Sequence, residues 1–442
     1  MSGALRSFPS GFHWGTATSA HQVEGGNDRN DWWRFEQKPG VIHGGAKSGA
    51  ACGHYQRFDE DFALAESDAH NAHRLSFEWS RIMPERGKID AAAVAHYHGV
   101  LESLERHGLR PLVTLHHFTN PLWIADRGGW ENPETIQHFC AFVRFCAREF
   151  GSEVDWWCTV NEPEVYAFRG WSEGVWPPAK RDDGLALAVM ANLLEAHGLA
   201  YRILHEQDRG GAEGRGRTAN VGFAKHLPQL EGDRWWFPLD GVRAGFEDAV
   251  FNEAVLQAGV TGEIKLAIPG VRGVTRRVPE LAGSLDYIGL NYYTRWKVRT
   301  FAPDPHVARA GASKTDLGWE IYPQGFERAV MRMAQLKRPV IVTEHGFADA
   351  LDKQRPRALV QSLHHLGRAI GRGANVIGYY HWSLMDNFEW SDGYSGRFGL
   401  YQVDFADPAL PRNRTRSADL YSRIARANGV EREVATEVGL AP

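Results

Sequence analysis

The chain has few cysteines, no long apolar run and no excess of positive charge. Its 442 residues include four cysteines, none in a Cys-x-x-Cys pair or at the spacing of a zinc site. No stretch of about 20 apolar residues occurs, as a membrane span would need, and the first dozen residues lack an apolar signal region. The formal net charge is −4. These absences argue against a disulfide scaffold, a membrane partner and nucleic-acid binding, and they favour a cytoplasmic setting.

Internal repeats and low-complexity linkers are also missing, which argues against a solenoid or a string of small modules. The hydrophobic share of 43% is ample for a large core. The 16 tryptophans, many of them beside polar residues, suit stacking on sugar rings as well as packing. Because α/β barrels absorb this length as one domain with long loops, we expect a single domain over residues 1–442.

Apolar, β-branched stretches alternate with helical patterns along the whole chain. This alternation predicts a parallel sheet, and eight strands with crossover helices are the count of a (β/α)8 barrel. Helices are predicted over residues 91–107, with a stop at Gly108, and from about Asn132 to Gly151. Segments 25–53 and 298–315 are rich in Gly, Pro and polar residues and predict long rim loops. The eight predicted strands are residues 12–17, 72–79, 111–118, 155–162, 220–227, 287–294, 340–344 and 376–384.

Two of these strands end in a glutamate. Residues 156–163 read WWCTVNEP, where Pro163 should stop the strand and hold Glu162 in an extended conformation at its tip. Residues 339–346 read PVIVTEHG and deliver Glu344 in the same way. Taken alone, Glu162 is equally consistent with a cap on the following helix. Two carboxylates on the catalytic rim of a barrel, however, are the minimum equipment for glycoside hydrolysis.

Seven motifs in order give the chain a clear resemblance to glycoside hydrolase family 1, the β-glucosidase and β-glycosidase family, from about Phe8 to Tyr421. Each motif lies at or near the end of a predicted strand. The motifs are FHWGTATSAHQVEG at 12–25, HRLSFEWSRI at 73–82, VTLHHF at 113–118, TVNEP at 159–163, IGLNYY at 288–293, VTEHG at 342–346 and WSLMDNFEW at 382–390.

The resemblance implies a retaining mechanism, with Glu162 as acid/base and Glu344 as nucleophile. Such a pair of carboxyls is expected to lie roughly 5–5.5 Å apart, with environments that separate their pKa values. Arg74 and Tyr293 match the family residues beside the nucleophile, although Arg74 also suits a structural salt bridge in the barrel floor. Asn291 is a further residue expected beside the nucleophile, where it either binds the sugar directly or orients neighbouring side chains.

The resemblance also implies a sugar subsite, in which Asn161 addresses the 2-hydroxyl and Trp382 forms the floor. Ordinary core packing is the alternative for Trp382. Of the adjacent His116 and His117, the following Phe118 selects His117. The residues expected to bind the sugar are Gln22, His117, Asn161, Trp382, Glu389 and Trp390. On the leaving-group side the candidates are Trp319, Trp171 and Phe223, together with Trp176, and plain packing is an equal alternative for each.

Glu389 also discriminates within the family, because a carboxylate facing a phosphate is repulsive. We therefore expect an unphosphorylated β-glucoside, and also β-galactosides or β-fucosides, as the small-molecule substrate. A 6-phospho-β-glycosidase remains the alternative. His345 stands where the family usually has Asn. His tolerates a positive φ, so a turn after Glu344 is expected to survive, but the effect on its hydrogen bonding is open.

Two other classes of protein compete with this interpretation. The 20 histidines suggest a metal-dependent barrel hydrolase, but no His-x-His pair falls at the tip of the first strand, and 96–98 lies on a helix. We therefore expect neither a metal nor a cofactor. A sugar-binding relative without activity would usually lack one carboxylate, and both are present. The sequence leaves the oligomeric state open.

Overall fold

In the computed structural model, which describes residues 4–210 and 218–440, eight parallel strands close into a barrel. Each strand pairs with its neighbours in chain order, and the eighth returns to the first. All eight predicted strands are present, so the predicted (β/α)8 barrel is confirmed. The strands are β1 (His13–Ala17), β2 (Ala72–Ser76), β3 (Arg110–His116), β4 (Trp156–Asn161), β5 (Asn220–His226), β6 (Ile288–Tyr292), β7 (Val340–His345) and β8 (Val376–Trp382).

Helices surround the barrel and also fill the connections on its rim. The longer α-helices are His54–Ser67, Ala91–Arg106, Glu134–Phe150, Asp183–Gly210, Pro238–Asp248, Ala254–Thr261, Pro323–Ala334, Arg355–Gly371 and Arg416–Ala427. Short α-helices are Ala20–Val23, Asp31–Glu36, Trp79–Ile82, Leu122–Ala125, Pro163–Ala167 and Arg432–Glu437. Short 3-10 and π turns are His43–Gly45, Gly129–Glu131, Phe168–Ser172, Ala249–Glu253, Pro279–Leu281 and Trp390–Asp392.

Small sheets decorate the barrel. One of them, Gln229–Gly232 with Arg295–Val298 and His306–Val307, rises from the C-terminal ends of β5 and β6. The others pair Ala4–Ser7 with Gly429–Glu431, Glu263–Leu266 with Val274–Arg277, and Tyr401–Val403 with Arg412–Arg414.

The predicted rim loops contain short elements that their composition did not reveal. Segment 25–53 includes the helix Asp31–Glu36, which begins after Asn30, whose side chain accepts a hydrogen bond from the Trp33 amide. Segment 298–315 includes the strand His306–Val307. Both segments follow the C-terminal end of a barrel strand, which is the face where chemistry is placed in this fold.

Local side-chain chemistry shifts several predicted boundaries. Strand β2 stops at Ser76 rather than at residue 79, because the Glu78 carboxylate accepts from the Ser80 amide and starts a helix. Strand β3 stops at His116, two residues before Phe118, which has a φ of 70°. The helix Ala91–Arg106 ends within a residue of its prediction, and the Asp90 side chain caps its start.

Two apolar layers make the core. Inside the barrel, small residues such as Ala17, Ala72 and Ala224 pack with Tyr287 and Tyr380. Outside it, the opposite faces of the strands pack against the helices. The helix Asp183–Gly210 is long and apolar enough, by length and composition, to cross a membrane. However, 67% of its apolar window is buried within the fold, as in a core helix.

Candidate active site

The two glutamates predicted from the sequence both lie on the C-terminal rim of the barrel, at the ends of two different strands. Glu344 is the fifth residue of β7, and Glu162 follows β4 directly. Both side chains are buried. Glu162 has a φ of 43°, in the left-handed region, and not the extended conformation expected before Pro163. Its amide donates to the Ala224 carbonyl at 2.8 Å, which holds the residue in this conformation.

Left-handed non-glycine residues recur at this rim. Phe118 has a φ of 70° and follows His117, and Trp390 has a φ of 51° and follows Glu389. Such conformations are uncommon and persist only where the surrounding structure enforces them. At this site they turn the chain sharply after a strand or loop, next to residues that the sequence analysis assigns to the sugar.

The Glu344 carboxylate is oriented by two donors on different strands or strand ends. Arg74 on β2 donates from Nη1 to Glu344 Oε1. The hydroxyl of Tyr293, just after β6, donates to Oε2 at 2.6 Å. Both oxygens of the carboxylate are therefore engaged, so its position and rotation are fixed. A fixed carboxylate at a strand tip is suited to act as a nucleophile.

Glu162 lies in a different environment. Asn291 Nδ2 donates to its Oε1 at 2.7 Å, and its other close polar neighbour, His226 Nδ1, is 3.6 Å from the same oxygen. Burial raises the pKa of Glu162 well above its usual range, and the negative charges of Glu344 and Glu164 raise it further. A carboxyl that keeps its proton near neutral pH is suited to protonate a leaving group.

Asn291 connects the two halves of the site. Besides Glu162, its Nδ2 donates to Asn161 Oδ1 at 3.1 Å, and its Oδ1 accepts from the Thr343 hydroxyl at 2.6 Å. Its polar atoms thus have protein partners, which favours the orienting role over direct sugar binding. Arg74 Nη2 also donates to Asn161 Oδ1, at 2.8 Å, so one network holds Asn161 and both glutamates.

The predicted sugar-binding residues converge beside this network. Glu389 accepts from Trp382 Nε1 at 2.9 Å and from Gln22 Nε2 at 3.3 Å. His117 lies between the two tryptophans, with its ring at 22° to Trp382 and 20° to Trp390. The contact between Asn161 Nδ2 and His117 Nε2, at 3.3 Å, joins this group to the catalytic network.

Two titratable groups of this subsite have shifted pKa values. Burial raises the pKa of Glu389 to about 8, although the hydrogen bond from Trp382 opposes the shift. Burial also lowers the pKa of His117 well below its usual value, so its imidazole is neutral. The Nδ1 atom of His117 is buried and has no hydrogen-bond partner among the described residues.

The structure separates the two adjacent histidines as the sequence analysis did. His116 points away from the subsite, where its Nε2 lies 3.2 Å from Asn120 Oδ1 and its ring packs against Trp130 and Tyr166. Burial lowers its pKa to about 4. His116 is therefore a core residue, although its Nδ1 is buried without a hydrogen-bond partner among the described residues. The ring that stacks on Trp382 is that of His117.

The predicted leaving-group residues divide between the site and the core. Trp319 is half-buried and packs edge-on against Tyr293, with 5.7 Å between ring centres, beside the predicted nucleophile. Trp171 is buried against Tyr166 and donates to Glu131 at 2.6 Å, so its face is already covered. The fold thus contradicts the leaving-group prediction for Trp171.

Phe223 also fails as a leaving-group residue. It lies in the middle of β5 and packs outward against His197, with 4.9 Å between ring centres, in the layer between the barrel and its helices. Because successive side chains of a strand point to opposite faces, its neighbour Ala224 faces the barrel interior instead. Trp176 is closer to the sugar subsite, since its ring packs against Trp390 at 5.9 Å.

His226 is the site residue that the sequence analysis missed. It ends β5, and its buried Nδ1 faces Glu162 without a hydrogen-bond partner. Burial, with the nearby charge of Lys225, lowers its pKa to about 3. The rule that found Glu162, a polar residue at the C-terminal end of a strand, applies equally to His226.

A buried ion pair lies behind the acid/base candidate. Lys225 Nζ donates to Glu164 Oε1 at 2.9 Å and to Asn252 Oδ1 at 3.1 Å, and both charged side chains are fully buried. The His226 amide donates to the same Glu164 oxygen at 3.0 Å. Glu164, two residues after Glu162, therefore anchors the segment that carries the acid/base candidate to β5.

His345 lies outside the site. Its ring stacks on Phe326 with 4.4 Å between ring centres, and its Nδ1 lies 2.8 Å from the Tyr379 hydroxyl. It continues β7 without a positive φ, so the left-handed turn expected after Glu344 does not form there. Within the described ranges, no group of three or more His, Cys, Asp or Glu residues is arranged to hold a metal ion.

Comparison with known proteins supports the same interpretation. The family model described as "Glycosyl hydrolase family 1" matches residues 4–430. The chain belongs to glycosyl hydrolase family 1. Beta-glucosidase A of Thermotoga maritima is 32% identical over 97% of this chain and 99% of the relative. A beta-galactosidase of Pyrococcus woesei is 30% identical over 98% of this chain and 99% of the relative. The solved beta-glycosidase from Pyrococcus horikoshii is 36% identical, covers 99% of both chains and has a TM-score of 0.89.

Membership in family 1 makes the chain a β-glucosidase-type glycoside hydrolase that retains anomeric configuration. The family resemblance, the enzyme class and the barrel fold drawn from the sequence are confirmed. The contacts described above are consistent with the residue roles that the resemblance implies for Glu162, Glu344 and the sugar subsite, and those individual roles stay predictions.

Proposed function

We propose that this family 1 enzyme is an exo-β-glycosidase that removes an unphosphorylated β-glucosyl residue from the non-reducing end of a small glycoside. The observation that carries the proposal is the difference between the two rim carboxylates. The Glu344 carboxylate accepts hydrogen bonds from Arg74 and Tyr293, whereas the pKa of Glu162 is raised by burial and by the charge of Glu344. Two carboxyls with divided roles are what a two-step displacement requires.

In the first step, Glu344 attacks the anomeric carbon while the bond to the leaving oxygen breaks. Glu162 gives its proton to that oxygen, so the aglycone departs as a neutral alcohol. The product is a covalent ester between the sugar and Glu344. Tyr293 and Arg74 lose part of their interaction with the carboxylate at this point, and the carboxylate regains it when the sugar leaves.

In the second step, Glu162 is ionised and accepts a proton from water, whose oxygen attacks the anomeric carbon and displaces Glu344. The configuration at the anomeric carbon is retained, because it is inverted twice. An alcohol can attack the anomeric carbon of the covalent ester in place of water and form a new glycoside. We therefore also propose transglycosylation as a side reaction.

Sugar selection is assigned to Gln22, His117, Asn161 and Glu389, with Trp382 as an apolar floor. Together they present donors and acceptors for vicinal hydroxyls. Asn161 is held by Arg74 and Asn291, which suits it to the 2-hydroxyl, whose hydrogen bond strengthens in the transition state. The named activities of the relatives, β-glucosidase and β-galactosidase, support β-galactosides as further substrates. We propose β-fucosides beside them.

Glu389 supports an unphosphorylated sugar over a 6-phosphorylated one. Glu389 is buried, and its pKa of about 8 keeps it protonated at neutral pH, so the negative field at this place comes from the nearby charges of Asp392 and Glu344. A phosphate would bring at least one more negative charge to this place. We also propose a cytoplasmic setting, supported by four buried cysteines that form no disulfide in the described residues.

The test is turnover of aryl β-glucoside, β-galactoside, β-fucoside and 6-phospho-β-glucoside by the wild type, Glu344→Gly and Glu162→Ala. Glu344→Gly should lose activity and regain it with azide, giving the α-glycosyl azide, because azide enters the vacated nucleophile position. Glu162→Ala should instead give the β-glycosyl azide, because azide attacks the covalent ester. Chloride at equal ionic strength is the control for a salt effect.

Exchanged products, with β-azide from Glu344→Gly, would contradict the assigned roles. Wild-type activity confined to the 6-phosphorylated sugar would overturn the interpretation of Glu389. Loss of activity in Glu344→Gly without rescue would leave the fold of the variant in question, so the unfolding temperature of each variant is measured alongside.

A further inference from the structure

A group of exposed apolar side chains lies away from the barrel core, on the sheet and helix that rise from β5 and β6. Six of the nine large apolar side chains exposed in the described residues belong to it. They are Trp235 (94% exposed), Phe301 (84%), Val242 (67%), Trp236 (62%), Leu239 (45%) and Phe246 (37%). We call these six residues the rim patch.

The rim patch is continuous along one helix. Leu239, Val242 and Phe246 are spaced at i, i+3 and i+7 on the helix Pro238–Asp248, so they share one face. The buried residues of the same helix, Asp240 and Ala244, point to a different side. One face of the helix is therefore buried against the rest of the protein, and a second, apolar face is exposed to solvent.

The loop that carries Phe301 is tied to the same helix. The Thr300 amide donates to Asp240 Oδ1 at 2.7 Å, and the Thr300 hydroxyl donates to the Leu239 carbonyl at 3.0 Å. Arg234, directly before Trp235, donates to both Asp240 oxygens. These bonds hold the loop of Phe301 and the segment of Trp235 against the same helix.

Two exposed glycines on the helix border open space in the described part of the chain. A Cβ added to Gly241 or Gly245 would meet nothing within 4 Å. Glycine in a helix interior costs about 1 kcal/mol relative to alanine, and here neither position is required by internal packing. Glycines one turn apart beside an apolar stripe let a second helix approach closely.

The size of the patch fits a protein partner. At about 200 Å² for a whole aromatic side chain, the four aromatic residues of the patch expose about 550 Å², which is at the upper end of the largest apolar patch of a typical monomer, about 300–600 Å². With Val242 and Leu239 the surface approaches the roughly 800 Å² that each partner contributes to a standard interface. The surface is therefore large enough for a stable dimer.

The charges beside the patch favour a second copy of this chain over a lipid surface. Arg243 pairs with Glu247 at 2.7 Å, and Arg299 pairs with Asp233 at 2.6 Å. Each of these pairs is neutral as a whole, so neither adds net positive charge that would attract anionic headgroups. In a two-fold contact each patch meets its own copy, and a border with both signs is complementary to itself.

We propose that the rim patch is a homodimer interface, in which the helix Pro238–Asp248 packs against the same helix of a second copy. The test is sedimentation velocity of the full chain between about 1 and about 100 µM, the range of a moderate dimer. The chain mass is 49.5 kDa, so a dimer of two copies has about 99 kDa.

Val242→Glu and Trp235→Ser are the test variants, because both positions are exposed and far from any buried contact. Each is expected to raise the dimer dissociation constant at least about tenfold, since a central apolar residue of an interface contributes that much or more. Leu351→Glu is the matched control, an equally exposed apolar side chain outside the patch (70%). It should leave the dimer intact, and all variants should keep wild-type turnover.

A wild type that sediments as a monomer up to the highest concentration overturns the proposal. So does a dimer that both patch variants leave unchanged. Co-sedimentation of the wild type with phosphatidylcholine vesicles, lost in Val242→Glu, would assign the patch to a lipid surface instead. Retention on an insoluble β-glucan, lost in Trp235→Ser, would assign it to carbohydrate.

Discussion

Replacing Asn291 by leucine should move the alkaline limb of the pH–activity profile to higher pH. The Asn291 amide donates to Glu162 Oε1 at 2.7 Å and is one of the two influences that lower the pKa of this buried carboxyl, the other being the charge of Lys225. Leucine has nearly the shape of asparagine but no N–H donor. The ionised form of Glu162 then loses its one short hydrogen bond among the described contacts.

The size of the effect follows from that bond. A hydrogen bond to a charged group contributes about 1.5–3 kcal/mol, and one pKa unit corresponds to about 1.4 kcal/mol. The pKa of Glu162 should therefore rise further, and the alkaline limb should move to higher pH by about one to two pH units. Because Glu162 must be protonated in the first step, activity should persist to higher pH by the same amount.

The assay is kcat/KM for an aryl β-glucoside as a function of pH, which reports the free enzyme. Thr343→Val is the matched control. It removes the hydroxyl that donates to Asn291 Oδ1 at 2.6 Å but leaves the donor to Glu162 in place, so its alkaline limb should shift less. An alkaline limb that stays in place in Asn291→Leu, or moves to lower pH, would refute the assignment of Glu162 as the acid and of Asn291 as its orienting residue.

Three further perturbations test the network around the site. Tyr293→Phe removes the 2.6 Å hydrogen bond to Glu344 and should lower kcat/KM about tenfold or more. Unchanged steady-state kinetics would exclude a catalytic role for the Tyr293 hydroxyl. The pKa of Glu389 is raised from 4.5 to about 8, so the folded protein keeps a proton that the unfolded chain releases. The contribution of Glu389 to the free energy of unfolding is therefore complete below pH 4.5 and is lost as the pH rises through 8. Glu389→Gln does not titrate and so lacks this loss. In denaturant unfolding, the free energy of unfolding of the variant relative to the wild type should increase by a few kcal/mol from pH 5 to pH 8. A difference that stays the same across this range would contradict the shifted pKa. Lys225→Met leaves the Glu164 carboxylate buried without its partner and should lower the free energy of unfolding by about 3–5 kcal/mol. Adding Glu164→Gln in a double-mutant cycle should restore part of this free energy. If the effects of the two substitutions simply add, the pair is not coupled.

The alternation of strands and helices was readable because each element carries its own local pattern. Strand β7 begins with four β-branched residues and is followed by Gly346, and the helix Ala91–Arg106 repeats its apolar residues every three or four positions. The boundaries that were wrong depend on single side chains, such as the Glu78 cap that ends β2 early. Such a competition between a cap and a strand is decided by a few tenths to about 2 kcal/mol.

The leaving-group side was the least predictable part of the site. Trp171 and Phe223 have the right residue type, yet the fold turns both into the core. His226, by contrast, lies 3.6 Å from Glu162 although no motif marks it. Residue type alone does not say which face of a strand or helix points to the cavity, because that depends on the packing of the whole barrel.

The sequence by itself determined the eight-stranded barrel, the family and the two glutamates, because each depends on local periodicity or on a short ordered motif. The tertiary structure alone decided how the glutamates differ. Arg74 on β2 reaches Glu344 on β7, and Asn291 on β6 reaches Glu162 after β4. Burial then raises the pKa of Glu162. These contacts join strands that are far apart in the chain, so they come into being only when the barrel closes.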